Sequence, residues 1–287
     1  MGEEVFEILE PGPGATLQDG GRVGWRRFGV PPGGAMDAHA AQWANRLLDN
    51  KPDAPAVEIL LQGAKLKALR DTWIAVTGAD AGANVPAWRV ARIREGDRVE
   101  FPKNHSGVWI YLAVEGGFDG ERLLGSASVY ARGQLGSRFV RGDVLRRATS
   151  ARFELPRGVA GRVVDWQERR NYESPSPLRV WRGPQWDLFG AADREQFFEQ
   201  EWTVSPQSDR VGYRLTGKPL IPSGAQMISE PVLVGSIQIP TDGRPMVIMR
   251  DGPTVGGYPK LCLLDDADVS WLAQCRPGVK VRFQLIE

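Results

Sequence analysis

Residues 22–36, RVGWRRFGVPPGGAM, return in altered form at 210–227, RVGYRLTGKPLIPSGAQM. Arg22, Gly24 and Arg26 correspond to Arg210, Gly212 and Arg214 at an offset of 188, and Gly29 and Pro31 to Gly217 and Pro219 at the same offset. After a short insertion, Ala35 and Met36 match Ala225 and Met227 at offsets of 190 and 191. Three shorter correspondences follow in chain order: EILLQG (58–63) with EPVLVG (230–235), VEGGF (114–118) with TVGGY (254–258), and RGDV (141–144) with RPGV (276–279). Order is kept while spacing changes, the pattern of a duplicated domain with insertions in its loops. The expected organisation is two related domains, 1–166 and 178–287. Between them lies a polar segment, 167–177 (QERRNYESPSP), whose Ser/Pro ending reads as a linker.

Short runs rich in β-branched and aromatic residues dominate: 73–77 (WIAVT), 108–114 (VWIYLAV), 178–182 (LRVWR), 232–240 (VLVGSIQIP), 245–250 (PMVIMR) and 279–286 (VKVRFQLI). Gly, Pro or Asp bound them, so they predict strands. In the last run Val279, Val281, Phe283 and Leu285 alternate with polar residues, predicting one solvent-facing side. Helical signals are fewer. Asp37 can cap a helix over 38–49, with Ala40, Trp43, Ala44, Leu47 and Leu48 on one face; 187–200 and 267–274 are the other candidates. Regular β-α-β alternation is missing, so the expected fold is mainly β, barrel or sandwich, with a few short helices.

The 287 residues carry 36 Lys+Arg against 35 Asp+Glu, so nothing global attracts nucleic acid or an anionic membrane. Between Arg138 and Arg170, nine Arg stand against four acids, which reads as a solvated face or a contact for an acidic partner. Two Cys (262 and 275) and two His (39 and 105) make neither a zinc quartet nor a disulfide framework, and the expected compartment is the cytoplasm. The first residues, MGEEVFEILEPGPG, lack the apolar stretch of a signal peptide, and runs such as 108–114 are too short to span a bilayer. GxxxxGK[ST] and GxSxG are both missing. Gly125–Ser–Ala–Ser128 lacks a matched base, and Ala35–Met36–Asp37 is not the Met-Lys-Met of a biotinyl carrier, so no covalent biotin is expected on this chain.

Two elements carry candidate chemistry. The first is the repeated Arg-Val-Gly-aromatic-Arg turn. Arg22 and Arg210 offer planar forks for carboxylates, while Asp19 and Asp209 stand close by to orient them or act on a substrate. An ion pair that simply holds a loop is the competing reading. The second is DGPTVGGYPK, 251–260. Gly256 and Gly257 permit left-handed backbone, so successive N–H groups can form an anion-binding nest. Thr254 and Tyr258 add hydroxyls, Lys260 a charge and Asp251 a potential base, and Gln238 on the preceding strand can point into the same space. A plain hairpin would use the same glycines for geometry alone. Were the two halves to face each other, these turns would line a cleft between them.

Together QDGGR (18–22), GVPPGGAMD (29–37), TGA (77–79), YLAVEGG (111–117), LGS (124–126), RGD (141–143), SDRVGYRL (208–215), SEP (229–231), GSIQIP (235–240), Asp251 and TVGGYP (254–259) resemble the family of KipA and the C-type subunits of 5-oxoprolinase. That family is also described as allophanate hydrolase subunit 2, or biotin-dependent carboxyltransferase-like. The resemblance runs from about residue 5 to residue 285. It implies two cyclophilin-like β-barrel domains, a KipI-like partner (the B-type component of 5-oxoprolinase) and a LamB/YcsF-like partner (its A-type component). It also implies ATP-dependent opening of 5-oxoproline to L-glutamate, with ATP bound together with a partner and the single chain inactive alone.

In that setting the small carboxylate substrate would be gripped by Arg210 and Arg22, with Asp209 and Asp19 orienting them. Gly256, Gly257 and Lys260 would stabilise developing charge, and Asp251 would be the base or water-orienting group. Two other functions stay open: a carboxyltransferase-type component of a urea or allophanate pathway, and a KipA-type regulator that binds a KipI-like inhibitor of a sensor histidine kinase.

Overall fold

The computed structural model describes residues 2–148, 160–222 and 227–286. The chain divides into two compact units, Met1–Val23 with Gly33–Arg170, and Gly24–Pro32 with Asn171–Glu287. The break at 170 falls within the polar segment 167–177, but Gly24–Pro32 groups with the second unit rather than the first. Gly224 and Ala225 of the repeat, and Arg152 and Arg157 of the arginine-rich stretch, lie outside the described residues. Other arginines of that stretch are paired: Arg146 with Glu4, Arg147 with Glu115 and Arg162 with Asp49. Among the described residues no helix is long and apolar enough to cross a membrane.

The protein is mainly β. The first unit holds β1 (Glu3–Pro11), β2 (Ala15–Gln18), helix α1 (Ala38–Leu47), β3 (Ala56–Leu60), β4 (Ala64–Ala68), β5 (Thr72–Asp80), β6 (Arg89–Ile93), β7 (Arg98–Glu100), β8 (Ser106–Val114) and β9 (Val144–Arg147). They form two antiparallel sheets, β7-β4-β1-β9 and β2-β3-β8-β5-β6. Phe6, Leu66 and Leu145 from the first sheet and Leu17, Ile59 and Ile110 from the second share one apolar core. Helix α1 lies against β5 and β8 on the larger sheet, and Asp37 caps it by accepting from the Ala40 N–H at 3.0 Å. Strand β8 is therefore covered on both faces, which explains why VWIYLAV shows no polar alternation. The helix stops at Leu47, short of the expected 49, because Asp49 is left-handed (φ 56°).

Beneath the start of α1 sits a buried polar network. Glu58 on β3 faces Tyr111 on β8 across the ladder. The Tyr111 hydroxyl donates to Glu58 Oε2 at 2.7 Å and accepts from the Asp37 N–H at 2.7 Å, while the Met36 N–H donates to the same Oε2 at 2.8 Å. Burial pushes the Tyr111 hydroxyl well above its usual range, and the charges of Glu58 and Asp37 push the same way. The hydroxyl thus stays protonated and ties the sheet to the helix N-terminus.

The second unit holds β10 (Leu178–Arg182), helix α2 (Ala191–Glu199), β11 (Trp202–Val204), β12 (Gly212–Thr216), β13 (Glu230–Pro231), β14 (Ser236–Gln238), β15 (Met246–Ile248), β16 (Val255–Gly256), β17 (Lys260–Leu264), helix α3 (Asp266–Ala273), β18 (Lys280–Val281) and β19 (Phe283–Leu285). One sheet has the order β18-β11-β12-β15-β14-β17-β10-β19. Its two edge strands, β18 and β19, are separated in the chain by Arg282 alone, so the sheet curls into a nearly closed barrel. The single run expected at 279–286 is thus two strands that turn a corner and pair at opposite edges. Phe197 stacks on Phe283 at 4.7 Å and contacts Trp202, whose indole N–H donates to the Phe197 carbonyl at 3.0 Å. The run expected at 232–240 is also broken: Gly235 is left-handed (φ 86°) and closes a turn from Leu233 to Ser236, leaving only Ser236–Gln238 in the barrel.

The repeated words fold differently. The first RVG word is irregular and ends in a short 3-10 turn, Arg26–Phe28, whereas Gly212–Thr216 of the second is a barrel strand. Gly29 is glycine for its left-handed backbone (φ 81°), but Gly217 is glycine because a Cβ there would lie 2.8 Å from the Trp202 ring.

Tyr111→Phe removes a hydroxyl that satisfies both the Glu58 carboxylate and the Asp37 N–H. The first unit should lose about 1–3 kcal/mol, read as a lower denaturant midpoint in unfolding followed by a probe in that unit.

Candidate functional site

In the second unit two polar pairs stand at the two ends of the segment from Asp251 to Lys260. At its start, Arg210 grips Asp251 with both prongs: Nε to Oδ2 at 2.7 Å and an Nη to Oδ1 at 3.0 Å. The Asp251 N–H also donates to the Arg210 carbonyl at 2.8 Å, so side chains and backbone fasten the same two residues. Asp209, expected to orient Arg210, is exposed and instead accepts from the N–H groups of Val211 and Gly212, closing an Asx turn. The carboxylate that holds the guanidinium comes from 41 residues further along the chain.

At the far end of the turn, Lys260 is 4% exposed in the barrel wall. Its ammonium donates to Glu230 Oε1 and more weakly to the Pro231 carbonyl at 3.4 Å. Gln185 braces the pair. Its Nε2 donates to Glu230 Oε1 at 2.6 Å and its Oε1 accepts from the Lys260 N–H at 3.0 Å. The hydrogen bond from Lys260 holds the Glu230 carboxyl below the usual glutamate range, with Gln185 adding to the effect.

The ladder between β14 and β17 pairs Ile237 with Cys262 and then Gln238 with Lys260, skipping Leu261. This bulge sets Lys260, rather than Leu261, opposite Gln238. Gly256 on β16 pairs with Glu230 on β13, and a Cβ at Gly256 would come within 2.8 Å of Gln238 Nε2. Gln238, Gly256, Glu230, Lys260 and Gln185 are therefore one contiguous group. Neither Gly256 nor Gly257 is left-handed, so the expected nest of successive N–H groups does not form. Gly256 is a strand residue, needed because Gln238 packs against it.

Thr254 is buried, and its carbonyl accepts from the Val232 N–H at 3.0 Å. Gly257 and Tyr258 border a cavity of about 650 Å³ whose other walls include Leu220, Ile239 and Pro240.

Asp19 and Arg22 belong to the first unit. Asp19 Oδ1 accepts from the Gly21 N–H and from the hydroxyls of Ser126 (2.5 Å) and Ser128 (2.6 Å), and its Oδ2 accepts from the Ala127 N–H at 2.8 Å. Arg22, 2% exposed, donates to the carbonyls of Leu123 and Ser128. These residues organise the Gly125–Ser128 loop. A polar cavity of about 560 Å³ borders Asp19, Gly20, Lys51 and Arg122.

Sequence reasoning missed Glu230 and Gln185 as members of the site. Glu230 did carry a signal, as the counterpart of Glu58 in the repeat. Gln185 carried none. Among the described residues no group of three or more His, Cys, Asp and Glu is arranged to hold a metal ion. What the second unit offers is two charge pairs, a hydroxyl-bearing turn and a carboxamide on a barrel wall.

The carboxyltransferase domain family, subdomains A and B, matches residues 28–285, and this chain belongs to it. The chain is similar to the C-type subunit of 5-oxoprolinase from Haemophilus influenzae, 33% identical over 297 residues, covering 98% of this chain and 91% of that protein. It is 32% identical over 309 residues to the urea amidolyase of Lachancea kluyveri, covering 97% of this chain but 17% of that protein. The crystal structure of TTHA0988 superimposes with a TM-score of 0.87 at 33% identity, covering 98% of this chain; the chain spans about half (55%) of that one.

Because the folded Glu230 carboxyl lies below the ordinary glutamate value of 4.5, its pairing stabilises the protein fully above that value. That contribution disappears as pH falls through the lower folded value. In acid unfolding monitored from pH 6 downward, Glu230→Gln should start less stable and lose less on acidification than the wild type. A steeper acid loss in the variant would contradict the pairing.

Proposed function

We propose that this chain is the C-type subunit of an ATP-dependent 5-oxoprolinase, opening 5-oxoproline to L-glutamate together with a KipI-like B-type partner and a LamB/YcsF-like A-type partner. The observation that carries the reading is the 33% identity to a C-type subunit of 5-oxoprolinase, sustained over 98% of this chain and 91% of that relative. A lactam carbonyl resists attack by water, so coupling to ATP is a sensible route to activate its oxygen. In this reading ATP is bound in the assembled complex, and the chain alone does not turn over.

The second unit contributes placement. Asp251, with both oxygens engaged by Arg210, acts to fix the guanidinium rather than as a free base. Arg210 contributes its guanidinium charge to the placement of an anionic group of the substrate. Lys260, backed by Glu230 and Gln185, supplies positive potential where charge develops on the lactam oxygen. Thr254 and Tyr258 shape the turn above them.

The test is co-expression of this chain with its two proposed partners and an assay for ATP-dependent glutamate release from 5-oxoproline. Wild-type complex should release glutamate, omission of this chain should abolish it, and Arg210→Ala should lower kcat/KM by about tenfold to a hundredfold. Turnover that instead requires bicarbonate and a biotinylated carrier would overturn the proposal in favour of carboxyl transfer. Normal turnover by Arg210→Ala would remove Arg210 from the site.

A further inference from the structure

QDGGR (18–22) and VEGGF (114–118) meet in the first unit, around the polar cavity of about 560 Å³. That volume is in the range of small-molecule sites. Its walls come from the turn at Asp19–Gly21, the turn after α1 that runs from Asp49 to Pro55, and the segment after β8 from Gly116 to Gly125. The chain fastens these walls to one another with its own hydrogen bonds. The Asn50 amide donates to the Val114 carbonyl at 2.8 Å and accepts from the Gly116 N–H at 3.0 Å, and the Asn45 amide donates to the Ala54 carbonyl at 2.8 Å. Asp19 ties its own turn to Ser126, Ala127 and Ser128. Glycine lets two walls close up, since a Cβ at Gly20 would lie 3.1 Å from the Asp53 Cβ. The cavity is therefore preorganised, and a ligand need not order it.

The charges that border it are of both signs and only partly spent on one another. Asp49 is taken by Arg162 at 2.6 Å. Asp19 is occupied by the Gly21 and Ala127 N–H groups and by two serine hydroxyls, and Arg122 stands 3.6 Å from it with its side chain 58% exposed. Lys51 and Asp53 lie two residues apart in one turn, yet neither makes an ion pair with any described residue, and nor does Asp119. A lone anion drawn to Arg122 and Lys51 also meets Asp53 and Asp119. A lone cation drawn to those carboxylates also meets the two bases. A small molecule with one charge of each sign finds a partner for both.

We infer that this cavity binds a small zwitterion of the α-amino acid class. The Arg122 fork and Lys51 take its carboxylate, and Asp53 takes its ammonium. The short spacing of Lys51 and Asp53 suits two charges carried on neighbouring carbons. The site uses none of the residues placed in the lactam reading above and does not depend on that reading.

The experiment titrates the full chain at low ionic strength with L-serine, and with two analogues that each keep one charge, 3-hydroxypropionate and L-serinamide. Binding is followed by amide NMR shifts. L-Serine should saturate, move the resonances of Gly20, Gly21, Gly116 and Gly117, and bind about tenfold more tightly than either analogue. Arg122→Gln should bring its affinity down to that of L-serinamide, and Asp53→Asn down to that of 3-hydroxypropionate. Both side chains are exposed, so the thermal midpoint of each variant should match the wild type.

Absence of saturable L-serine binding would overturn the inference. So would tighter binding of 3-hydroxypropionate or inorganic phosphate, which would make this an anion site, and so would L-serine affinity that neither substitution changes. These readouts need no turnover and no partner. A complex that releases no glutamate would overturn the functional reading and leave this inference standing.

Discussion

An ammonium buried in a barrel wall must be paired, because the cost of removing it from water exceeds anything packing can return. Lys260 meets this demand with parts from two places in the chain: Glu230 and the Pro231 carbonyl, both on β13, take the ammonium, and Gln185 from the segment after β10 braces the Glu230 carboxylate and the Lys260 N–H. The demand fixes where the ladder sits over the barrel and therefore where Gly256 comes to rest against Gln238. It also gives the bulge at Leu261 its purpose. Without the skipped residue, an aliphatic side chain would face Gln238 and the charge pair would point elsewhere.

The first unit solves a related problem differently. Glu58 opens EILLQG as Glu230 opens EPVLVG, and Glu58 is 1% exposed. It takes its hydrogen bonds from the Tyr111 hydroxyl and the Met36 N–H, and the network ends in the cap of α1. One carboxylate thus anchors a helix to a sheet, while the other braces a lysine beside the Gln238 amide. Equivalent letters in a repeat need not keep equivalent work, since a glutamate becomes whatever its neighbours can donate to it.

This explains which parts of the molecule could be read from sequence. Hydrophobic period and caps are local, so the buried run of β8 and the Asp37 cap were legible, and so was the mainly β class. Asp251 pairing with Arg210 was not, because adjacency favoured Asp209, whose short side chain found its own backbone two residues ahead. The two glycines at 256 and 257 look like a nest in sequence, but pairing of Gly256 with Glu230 draws it into a strand. A one-residue skip in a ladder leaves no trace in composition or period, so the juxtaposition of Lys260 and Gln238 required coordinates. Membership of the carboxyltransferase family was legible because many short words keep their order over nearly the whole chain, a signal that does not depend on any one loop.

The electrostatics of the second unit bear on why such a chain would work as part of a complex. Arg210 is paired with Asp251 and Lys260 with Glu230, so each of these two pairs sums to no net charge. Paired cations still orient a polar ligand, since a guanidinium fork and an ammonium carry more donors than one carboxylate can occupy. They do not supply the excess positive charge that phosphoryl chemistry needs around its developing anion. The recognition proposed above therefore rests on the geometry of these donors rather than on net charge.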